Sequence, residues 1–257
     1  MIKAILHGCN GRMGRFITEI CAADDGIEIA AGIDVYDGVQ NVYPVFTSIT
    51  DCDIAADVII DFTNAGAVDA LMDYSIKQSI PVVICSTGLS ENQLAKVQDA
   101  AGHIAVLKSA NMSLGINTLL DLLKKAVDVL VPAGFDIEIV EKHHNQKLDA
   151  PSGTAIALAD SMKEEIKNIC GQTYDYEYDR TGRRQKRPKE EIGISSVRGG
   201  SIVGEHAVIF AGTDEEITIQ HTAHSRAVFA KGAVEAAKFL AGKQAGLYDM
   251  ADVIAAR

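Results

Sequence analysis

The sequence has 257 residues, of which 47% are hydrophobic and 23% are charged, and this ordinary globular composition excludes a disordered, collagen-like or coiled-coil chain. Its net charge of −11 argues against nucleic-acid binding, which needs a positively charged surface. Five cysteines without a Cys-x-x-Cys pair predict reduced thiols and a cytoplasmic location. We see neither a signal-peptide pattern nor a run of about 18 apolar residues, so we expect no contact with a membrane.

The first half of the chain alternates strands with helices. Predicted strands cover Ile2–Leu6, Ile27–Ile33, Ala56–Phe62, Ile80–Cys85 and His103–Leu107, and predicted helices cover residues 12–23, Ala65–Lys77 and Ser90–Ala101. This order is typical of βαβ units in a parallel sheet with right-handed crossovers. We therefore expect an α/β fold with a doubly wound parallel sheet.

Beyond Asn111 the pattern changes to helices and strands with hairpin-like spacing. Helices are predicted at Leu114–Leu130, Ser152–Cys170 and Ala227–Leu240, and strands at Asp136–Val140, Ile192–Val197, Glu205–Phe210 and Glu216–Thr222. We expect an α+β unit with a mixed or antiparallel sheet. The basic stretch Gly171–Glu191 has no aromatic residues interleaved with its arginines, so we interpret it as a mobile, solvated loop rather than a nucleic-acid site.

A glycine-rich turn lies between the first strand and the first helix, with the sequence Gly8-Cys9-Asn10-Gly11-Arg12-Met13-Gly14. In such a turn one glycine permits the tight bend, one lets the backbone approach a pyrophosphate, and one lets helix pack against strand. The helix N-terminus then offers backbone N–H groups to the phosphates. Asp34, 20 residues beyond Gly14 at the end of the second strand, completes a dinucleotide-binding pattern.

Asp34 also bears on the choice of cofactor. Its carboxylate accepts hydrogen bonds from ribose hydroxyls and repels a 2′-phosphate, and neither Val35 nor Tyr36 supplies a compensating positive charge. Since Arg12 and Arg15 lie nearby, both NADH and NADPH remain candidates. We predict that NADH is used at least as well as NADPH.

The segment Glu141–Ala155 concentrates groups suited to an anionic substrate that is protonated during the reaction. His143 and His144 can exchange protons near neutral pH, and Lys147 adds a positive charge. A helix opening at Ser152, Gly153 and Thr154 offers N–H groups that bind a carboxylate. Because no Cys, Asp or third His lies at a convincing ligand spacing, we predict no metal site.

Segments along the whole chain resemble the 4-hydroxy-tetrahydrodipicolinate reductases, long called dihydrodipicolinate reductases. The most specific segment is Glu141–Ala155, with its H-H-x-x-K-x-D-A-P-S-G-T core. The other matching segments are Gly8–Arg15, Ile60–Thr63, Ser86–Gly88, Asn111–Gly115, Val197–Gly200, Gly204–His206, Ser225-Arg226 and Phe229-Ala230.

This resemblance implies the reduction of a cyclic dicarboxylate, 4-hydroxy-tetrahydrodipicolinate, to tetrahydrodipicolinate in the diaminopimelate route to lysine. It implies NADH or NADPH as hydride donor and a cytoplasmic homotetramer. His143 is then the proton donor or acceptor and Lys147 the proton donor, while His144, Gly153 and Thr154 bind the substrate carboxylates. Which of His143 and Lys147 delivers the proton stays open.

The resemblance further implies which residues line the nicotinamide side of the cofactor: Cys85, Ser86, Thr87, Ser109, Ala110, Asn111 and Met112. Cys85 and Ser109 depart from the glycine and alanine common in the family. The implied fold is a Rossmann-type domain of residues 1–113 and 224–257, interrupted by a substrate-binding and tetramerisation domain of residues 114–223 with an open mixed sheet.

Two alternatives stay open at this point. One is another NAD(P)H oxidoreductase of the same architecture, such as an amino-acid semialdehyde or aspartate dehydrogenase. A phosphorylating semialdehyde enzyme needs a catalytic cysteine in its second domain, and no motif surrounds Cys170. The other is a non-enzymatic dinucleotide sensor, which has no need of the His-His-Lys segment.

Overall fold

A computed structural model describes all residues from Met1 to Arg257, and the chain divides into two compact units. Unit 1 comprises Met1–Leu114 and Arg226–Arg257, and unit 2 comprises Gly115–Ser225. The chain therefore leaves unit 1 once and returns to it once. None of the helices combines the length and apolar character needed to cross a membrane.

Unit 1 is a three-layer arrangement of a sheet and helices. Its strands are β1 (Ile2–His7), β2 (Ile27–Ile33), β3 (Val45–Phe46), β4 (Val58–Asp61), β5 (Val82–Ile84), β6 (Ala105–Lys108) and β12 (Gly246–Tyr248). Its helices are α1 (Arg12–Ala22), α2 (Ala65–Gln78), α3 (Glu91–Ala100), α6 (Ala227–Leu240) and α7 (Met250–Ala255), with a 3₁₀ helix at Ile49–Asp51. All seven strands are parallel, in the order β12-β6-β5-β4-β1-β2-β3.

Both faces of this sheet are covered, because successive side chains of each strand point to opposite sides. Leu6 of β1 belongs to an apolar cluster with residues of α1 and α6, whereas the neighbouring Ile5 belongs to a second cluster with residues of α2 and α3. Such a doubly wound parallel sheet is of the Rossmann type, as predicted.

The order of the strands creates a crevice at the centre of the sheet. The chain runs from β1 to β2 and β3 on one side, and then crosses to β4 on the other side of β1. Ligands of open α/β sheets bind outside the carboxyl ends of the strands at such a switch point. The crevice therefore lies beyond His7 and Asp61, where β1 and β4 end.

Unit 2 consists of two long helices and a mixed sheet. The helices are α4 (Leu114–Leu130), which begins at the unit boundary, and α5 (Gly153–Cys170), and the strands are β7 (Asp136–His143), β8 (Asp175–Glu177), β9 (Glu191–Arg198), β10 (Gly204–Ala211) and β11 (Glu216–Ala223). The order is β11-β10-β7-β9-β8, with β10 antiparallel to both its neighbours and β7, β8 and β9 parallel. Leu123 of α4, Leu158 of α5 and Ile139 of β7 share one apolar core.

The structure differs from the expected elements in two places. Strand β7 continues three residues beyond Val140 to His143, because it pairs with β9 and β10 over this length. The interpretation of Gly171–Glu191 as a mobile, solvated loop is wrong for those of its arginines that pair with carboxylates. Arg180 contacts Glu138 and Glu191 at 2.6 Å, and β8 forms within the same stretch.

Two further arginines of that stretch are also held by carboxylates. Arg183 lies 2.7 Å from Glu191, and Arg187 lies 2.8 Å from Asp136 and 3.0 Å from Glu138. Two of these partners, Asp136 and Glu138, lie on β7, more than 40 residues away in the chain, so a reading of the local sequence cannot reveal them. The charges of these three arginines are consequently paired within unit 2, whereas Arg184, Lys186 and Lys189 are exposed to solvent.

Candidate active site

The glycine-rich turn of unit 1 has the geometry that its spacing predicts. Gly8 has a φ of +87°, and a side chain there would lie 2.7 Å from the carbonyl oxygen of Phe62. A side chain at Gly14 would lie 2.3 Å from the oxygen of Gly8, so α1 packs directly onto the turn. Only glycine permits both the bend and this close packing.

The start of α1 suits an anionic group. Gly11 is the N-cap and provides no side-chain hydrogen bond, so the first backbone N–H groups of α1 are left for a ligand. Beside the turn lies a cavity of about 410 Å³, lined by residues that include Gly8, Gly11 and Asp34. Its volume lies within the range of small-molecule and cofactor sites, and its lining fits a dinucleotide.

The other residues of the turn differ in how far their side chains are exposed. Cys9 and Asn10 are buried, Met13 is half-buried, and Arg12 is exposed. Burial, together with the charge of Asp34, raises the pKa of the Cys9 thiol to about 11, so the thiol stays protonated and neutral. The buried Cys9 side chain therefore brings no charge to the turn.

Asp34 is fixed at the end of β2 by two backbone groups. Its Oδ2 atom accepts a hydrogen bond from the N–H of Asn10 at 2.9 Å, and its Oδ1 atom accepts one from the N–H of Tyr36 at 3.1 Å. The glycine turn and the carboxylate are thereby held together at the rim of the same cavity.

The segments expected on the nicotinamide side follow β5 and β6 at the same edge of the sheet. The first is Cys85–Thr87 and the second is Ser109–Met112. Ser86 and Met112 are buried, Cys85 and Ser109 are half-buried, Thr87 and Ala110 are exposed, and Asn111 accepts a hydrogen bond from the N–H of Ser113 at 2.8 Å. Burial and the charge of Asp61 raise the pKa of Cys85 well above its ordinary value, which keeps this thiol neutral.

A polar network that the sequence analysis missed joins three strand ends of unit 1. Asp61 is fully buried, and its carboxylate accepts hydrogen bonds from Thr63 Oγ1 and Ser86 Oγ, both at 2.6 Å. The Nδ1 atom of His7 lies 3.0 Å from Asp61 Oδ1. His7 and Thr63 also line the cavity beside the glycine turn. The sequence signal that could have revealed this network is an aspartate, Asp61, at the end of an otherwise apolar strand.

In unit 2 the predicted residues gather where β7 ends and α5 begins. His143 is the last residue of β7, and the chain then turns, with the N–H of Lys147 donating to the oxygen of His144. The buried Nδ1 atom of His144 has no hydrogen-bond partner, and Lys147 Nζ lies 2.8 Å from Asp149 Oδ1. A cationic group and an imidazole thus accompany His143 in one short segment.

At the N-terminus of α5, Ser152 makes hydrogen bonds within the protein, and Gly153 leaves open space beside its Cα. The Oγ of the buried Ser152 accepts a hydrogen bond from the N–H of Ala155 at 3.2 Å, and the N–H of Ser152 donates to Glu141 at 3.1 Å. Gly153 has open space beside its Cα, and Thr154 follows it in the first turn. The N–H of Gly153 is hydrogen-bonded to the carboxylate of Asp149, and the open space beside its Cα leaves room for another carboxylate to replace it.

Two residues that the sequence analysis did not single out hold His143. Glu141, fully buried, accepts a hydrogen bond from His143 Nδ1 at 2.6 Å. Arg198 on β9 donates to both carboxylate oxygens, at 2.7 and 2.8 Å. Burial alone raises the pKa of Glu141, but the hydrogen bonds from Arg198, Ser196 and His143 outweigh it and lower the pKa to about 2. Glu141 is therefore ionised.

The two buried histidines of this region are neutral near pH 7. Burial lowers the pKa of His206 to about 4, assisted by the neighbouring His143. Burial also lowers the pKa of His143, although its hydrogen bond to Glu141 and the charge of Glu141 oppose the shift. The two rings pack edge to face with centroids 5.1 Å apart, and His206 Nε2 lies 3.0 Å from Ser152 Oγ.

These arrangements favour two kinds of chemistry. Unit 1 offers a glycine cradle and a helix N-terminus for a dinucleotide, and unit 2 offers cationic and N–H groups for an anion beside an imidazole that can exchange a proton. No three His, Cys, Asp or Glu side chains are grouped so as to hold a metal ion.

Comparison with known proteins covers nearly the whole chain. Residues 2–112 match the family described as "Dihydrodipicolinate reductase, N-terminus", and residues 115–254 match "Dihydrodipicolinate reductase, C-terminus". The 4-hydroxy-tetrahydrodipicolinate reductases of Clostridium novyi and Caldanaerobacter subterraneus are each 48% identical to it, and each alignment covers 99% of this chain and 98% of the relative.

A solved structure gives the same picture of the fold. The dipicolinate-bound dihydrodipicolinate reductase from Paenisporosarcina sp. TG-14 superposes with a TM-score of 0.79 at 24% identity and covers 97% of both chains. Because the matches extend over both units and the identity to the relatives is high, the chain belongs to the dihydrodipicolinate reductase family.

Proposed function

We propose that this chain reduces 4-hydroxy-tetrahydrodipicolinate to tetrahydrodipicolinate, with NADH or NADPH as the hydride donor, in the diaminopimelate route to lysine. The observation that carries the proposal is the cluster at the end of β7. His143, His144 and Lys147 lie beside an α5 N-terminus whose Gly153 is open, and this set suits a dicarboxylate that gains a proton. The 48% identity of two relatives named for this reaction supports the assignment.

The carboxylates of the substrate are assigned to His144, Lys147, Gly153 and Thr154. Lys147 supplies a point charge, and the N–H groups at the start of α5 add the positive end of the helix dipole. Lys147 currently pairs with Asp149, so a substrate carboxylate competes with Asp149 for this ammonium. The polar groups of Ser152 already bond to the protein, and we assign to Ser152 the role of shaping the helix start.

His143 and Lys147 are assigned to proton transfer. Because burial lowers the pKa of His143, its ring is mostly neutral near pH 7 and must acquire a proton before it can donate one. A bound dianion favours that protonated form by its charge. Lys147 is already cationic, and it either donates directly or stabilises the charge that develops on the substrate.

The cofactor is assigned to unit 1. Gly8, Gly11, Gly14 and the start of α1 hold the pyrophosphate, and Asp34 accepts hydrogen bonds from the adenosine ribose. When bound, the reduced nicotinamide supplies the hydride. The loops Cys85–Thr87 and Ser109–Met112 are assigned to the nicotinamide side, because they follow strands that end at the same edge as the glycine turn.

Asp34 leads to a prediction about cofactor choice. We expect kcat/KM for NADH to equal or exceed that for NADPH, because the carboxylate repels a 2′-phosphate. Replacing Asp34 by Asn should raise the NADPH-to-NADH ratio of kcat/KM by about ten- to a hundredfold, the range that hydrogen bonds to charged groups contribute. Steady-state kinetics with both cofactors measures the ratio.

The exposed Asp37, three residues further on, provides a matched control for this experiment. The Asp37→Asn variant removes the same charge outside the cavity and should leave the ratio unchanged. A strong NADPH preference of the wild-type protein, or an unchanged ratio in Asp34→Asn, would contradict the assignment of Asp34.

The proposal includes a cytoplasmic homotetramer, as the family resemblance implies, that binds small molecules but neither nucleic acid nor a membrane. Strand β11 forms an edge of the unit 2 sheet and carries the exposed Ile217. An unpaired strand edge with apolar side chains favours association with another copy. Light scattering coupled to size-exclusion chromatography measures the number of copies.

A coupled assay tests the proposed function as a whole. The purified protein is supplied with NADH and with the product of 4-hydroxy-tetrahydrodipicolinate synthase, generated in the same cuvette, and the loss of reduced-nicotinamide absorbance is recorded. We expect NADH oxidation that depends on the synthase. A dinucleotide sensor would bind NADH without turnover, and a semialdehyde or aspartate dehydrogenase would oxidise NADH only with its own substrates.

A further inference from the structure

Glu141 is a charged residue in a position where the strand pattern calls for an apolar one. Strand β7 buries every second residue, and the buried set is Ile137, Ile139, Glu141 and His143. A fully buried carboxylate is costly unless it is paired and hydrogen-bonded. A glutamate between Ile139 and His143 on the inward face therefore calls for an explanation beyond packing.

The contacts of Glu141 fix its protonation state. Oε1 accepts hydrogen bonds from the N–H of Ser152 at 3.1 Å and from Arg198 at 2.7 Å, and Oε2 accepts one from Arg198 at 2.8 Å. A backbone N–H and a guanidinium can only donate, so both oxygens of Glu141 act as acceptors. Ser196 also donates to this carboxylate, and with these donors Glu141 is ionised and has no hydrogen to give. The contact of Oε2 with His143 Nδ1 at 2.6 Å must therefore be donated by the imidazole.

We propose that Glu141, anchored by Arg198, is the positioning residue that fixes the tautomer and orientation of His143 for proton transfer. This inference rests on the proposed function, because it gives Glu141 a role in a reaction in which His143 exchanges a proton. With the hydrogen on Nδ1, the lone pair of Nε2 is free on the opposite side of the ring. The neutral ring is thus prepared to take up a proton at Nε2 and to release it from that atom.

The environment of Nε2 supports this orientation. Gly204, at the start of β10, lies beside this atom, and an added Cβ there would lie 3.1 Å from His143 Nε2. Glycine therefore keeps this side of the ring clear of a side chain. His206, also on β10, packs edge-on against the ring at 5.1 Å and is itself neutral.

The charges around His143 act in opposite directions. Glu141 on β7 favours the imidazolium, whereas Lys147, Arg198 on β9 and burial disfavour it. Arg198 also donates to the carbonyl oxygen of Asp149 at 2.6 Å, which ties the β9 end to the turn that carries Lys147. Removing the charge of Glu141 leaves only groups that disfavour the protonated ring.

The tautomer can be measured without any substitution at Glu141. Imidazole nitrogen NMR spectra of the histidine-labelled protein near neutral pH should show His143 in the Nδ1–H form, with its signals identified by their loss in a His143→Gln variant. The Nε2–H form would overturn the inference. This measurement stands even if a variant fails to fold.

The Glu141→Gln variant tests the functional consequence. Its amide cannot accept from every donor that surrounds Glu141, so its NH₂ group competes for Nδ1 and favours the Nε2–H tautomer. We expect kcat to fall at least about tenfold, since general acid–base catalysis contributes about 10²–10⁴-fold. The KM values for substrate and NADH should change less than about threefold, and the pKa of His143 should decrease.

Glu138 on the same strand provides the matched control, because it also pairs with arginines, Arg180 and Arg187, but not with His143. Glu138→Gln should leave kcat and the tautomer unchanged. An equal loss of kcat in both variants would show a general effect on the strand and would overturn the inference, as would unchanged kcat and tautomer in Glu141→Gln.

Two outcomes distinguish a failure of this inference from a failure of the proposed function. A wild-type protein that shows the Nδ1–H tautomer but no reductase activity would refute the proposed function, and with it any role of Glu141 in proton transfer. An active wild type with an equally active Glu141→Gln variant would refute the role of Glu141 alone.

Discussion

Replacing His143 by Gln should lower kcat by about 10²–10⁴-fold, the usual contribution of a positioned acid–base group. Gln keeps a similar polar shape but has no group that titrates near neutral pH, so it cannot relay a proton. The dissociation constant for NADH should stay within about threefold of the wild-type value, because the cofactor site is assigned to other residues. Steady-state kinetics and fluorescence titration with NADH measure the two quantities.

His103 is an exposed histidine that allows a matched control for this prediction. The His103→Gln variant makes the same chemical change away from the proposed site and should leave kcat unaltered. Thermal melting of both variants checks that the fold is intact. A His143→Gln variant that turns over at the wild-type rate would remove His143 from the mechanism.

The parts of the fold that follow from short stretches of sequence were predictable. The glycine turn, the helix after it and Asp34 depend on spacing within one βαβ unit, and the structure has them as expected. The strands of unit 1 were recognisable as short apolar runs, because both faces of a parallel sheet are buried. Strands β3, β8 and β12 are only two or three residues long and carry little pattern.

What could not be predicted depends on residues far apart in the chain. Arg198 is 57 residues from Glu141, and their contact requires the parallel pairing of β7 with β9. His206 is 54 residues from Ser152, and it approaches because β10 is antiparallel to β7. The sequence therefore directs attention to the polar groups after Val140, but not to Arg198 and His206, which contact that region from other strands.

The net charge of the chain does not describe the charge at its proposed binding sites. A net charge of −11 repels anions from the molecule as a whole, yet the two proposed anion sites lie at the start of α1 and the start of α5. Backbone N–H groups bind anions without adding formal charge. Several arginines, including Arg180 and Arg187, are meanwhile paired with carboxylates and add nothing to either site.

Replacing Gly14 by Ala should reduce kcat/KM for NADH by at least about 100-fold, because a misplacement of about 1 Å in a binding site has an effect of this size. The added Cβ would lie 2.3 Å from the oxygen of Gly8 and 2.4 Å from that of Cys9. These are backbone atoms, so the turn itself must move, and with it the N–H groups assigned to the pyrophosphate. Gly182→Ala, with nothing within 4 Å of its Cβ, should leave kcat/KM unchanged. Wild-type affinity for NADH in Gly14→Ala would place the cofactor elsewhere.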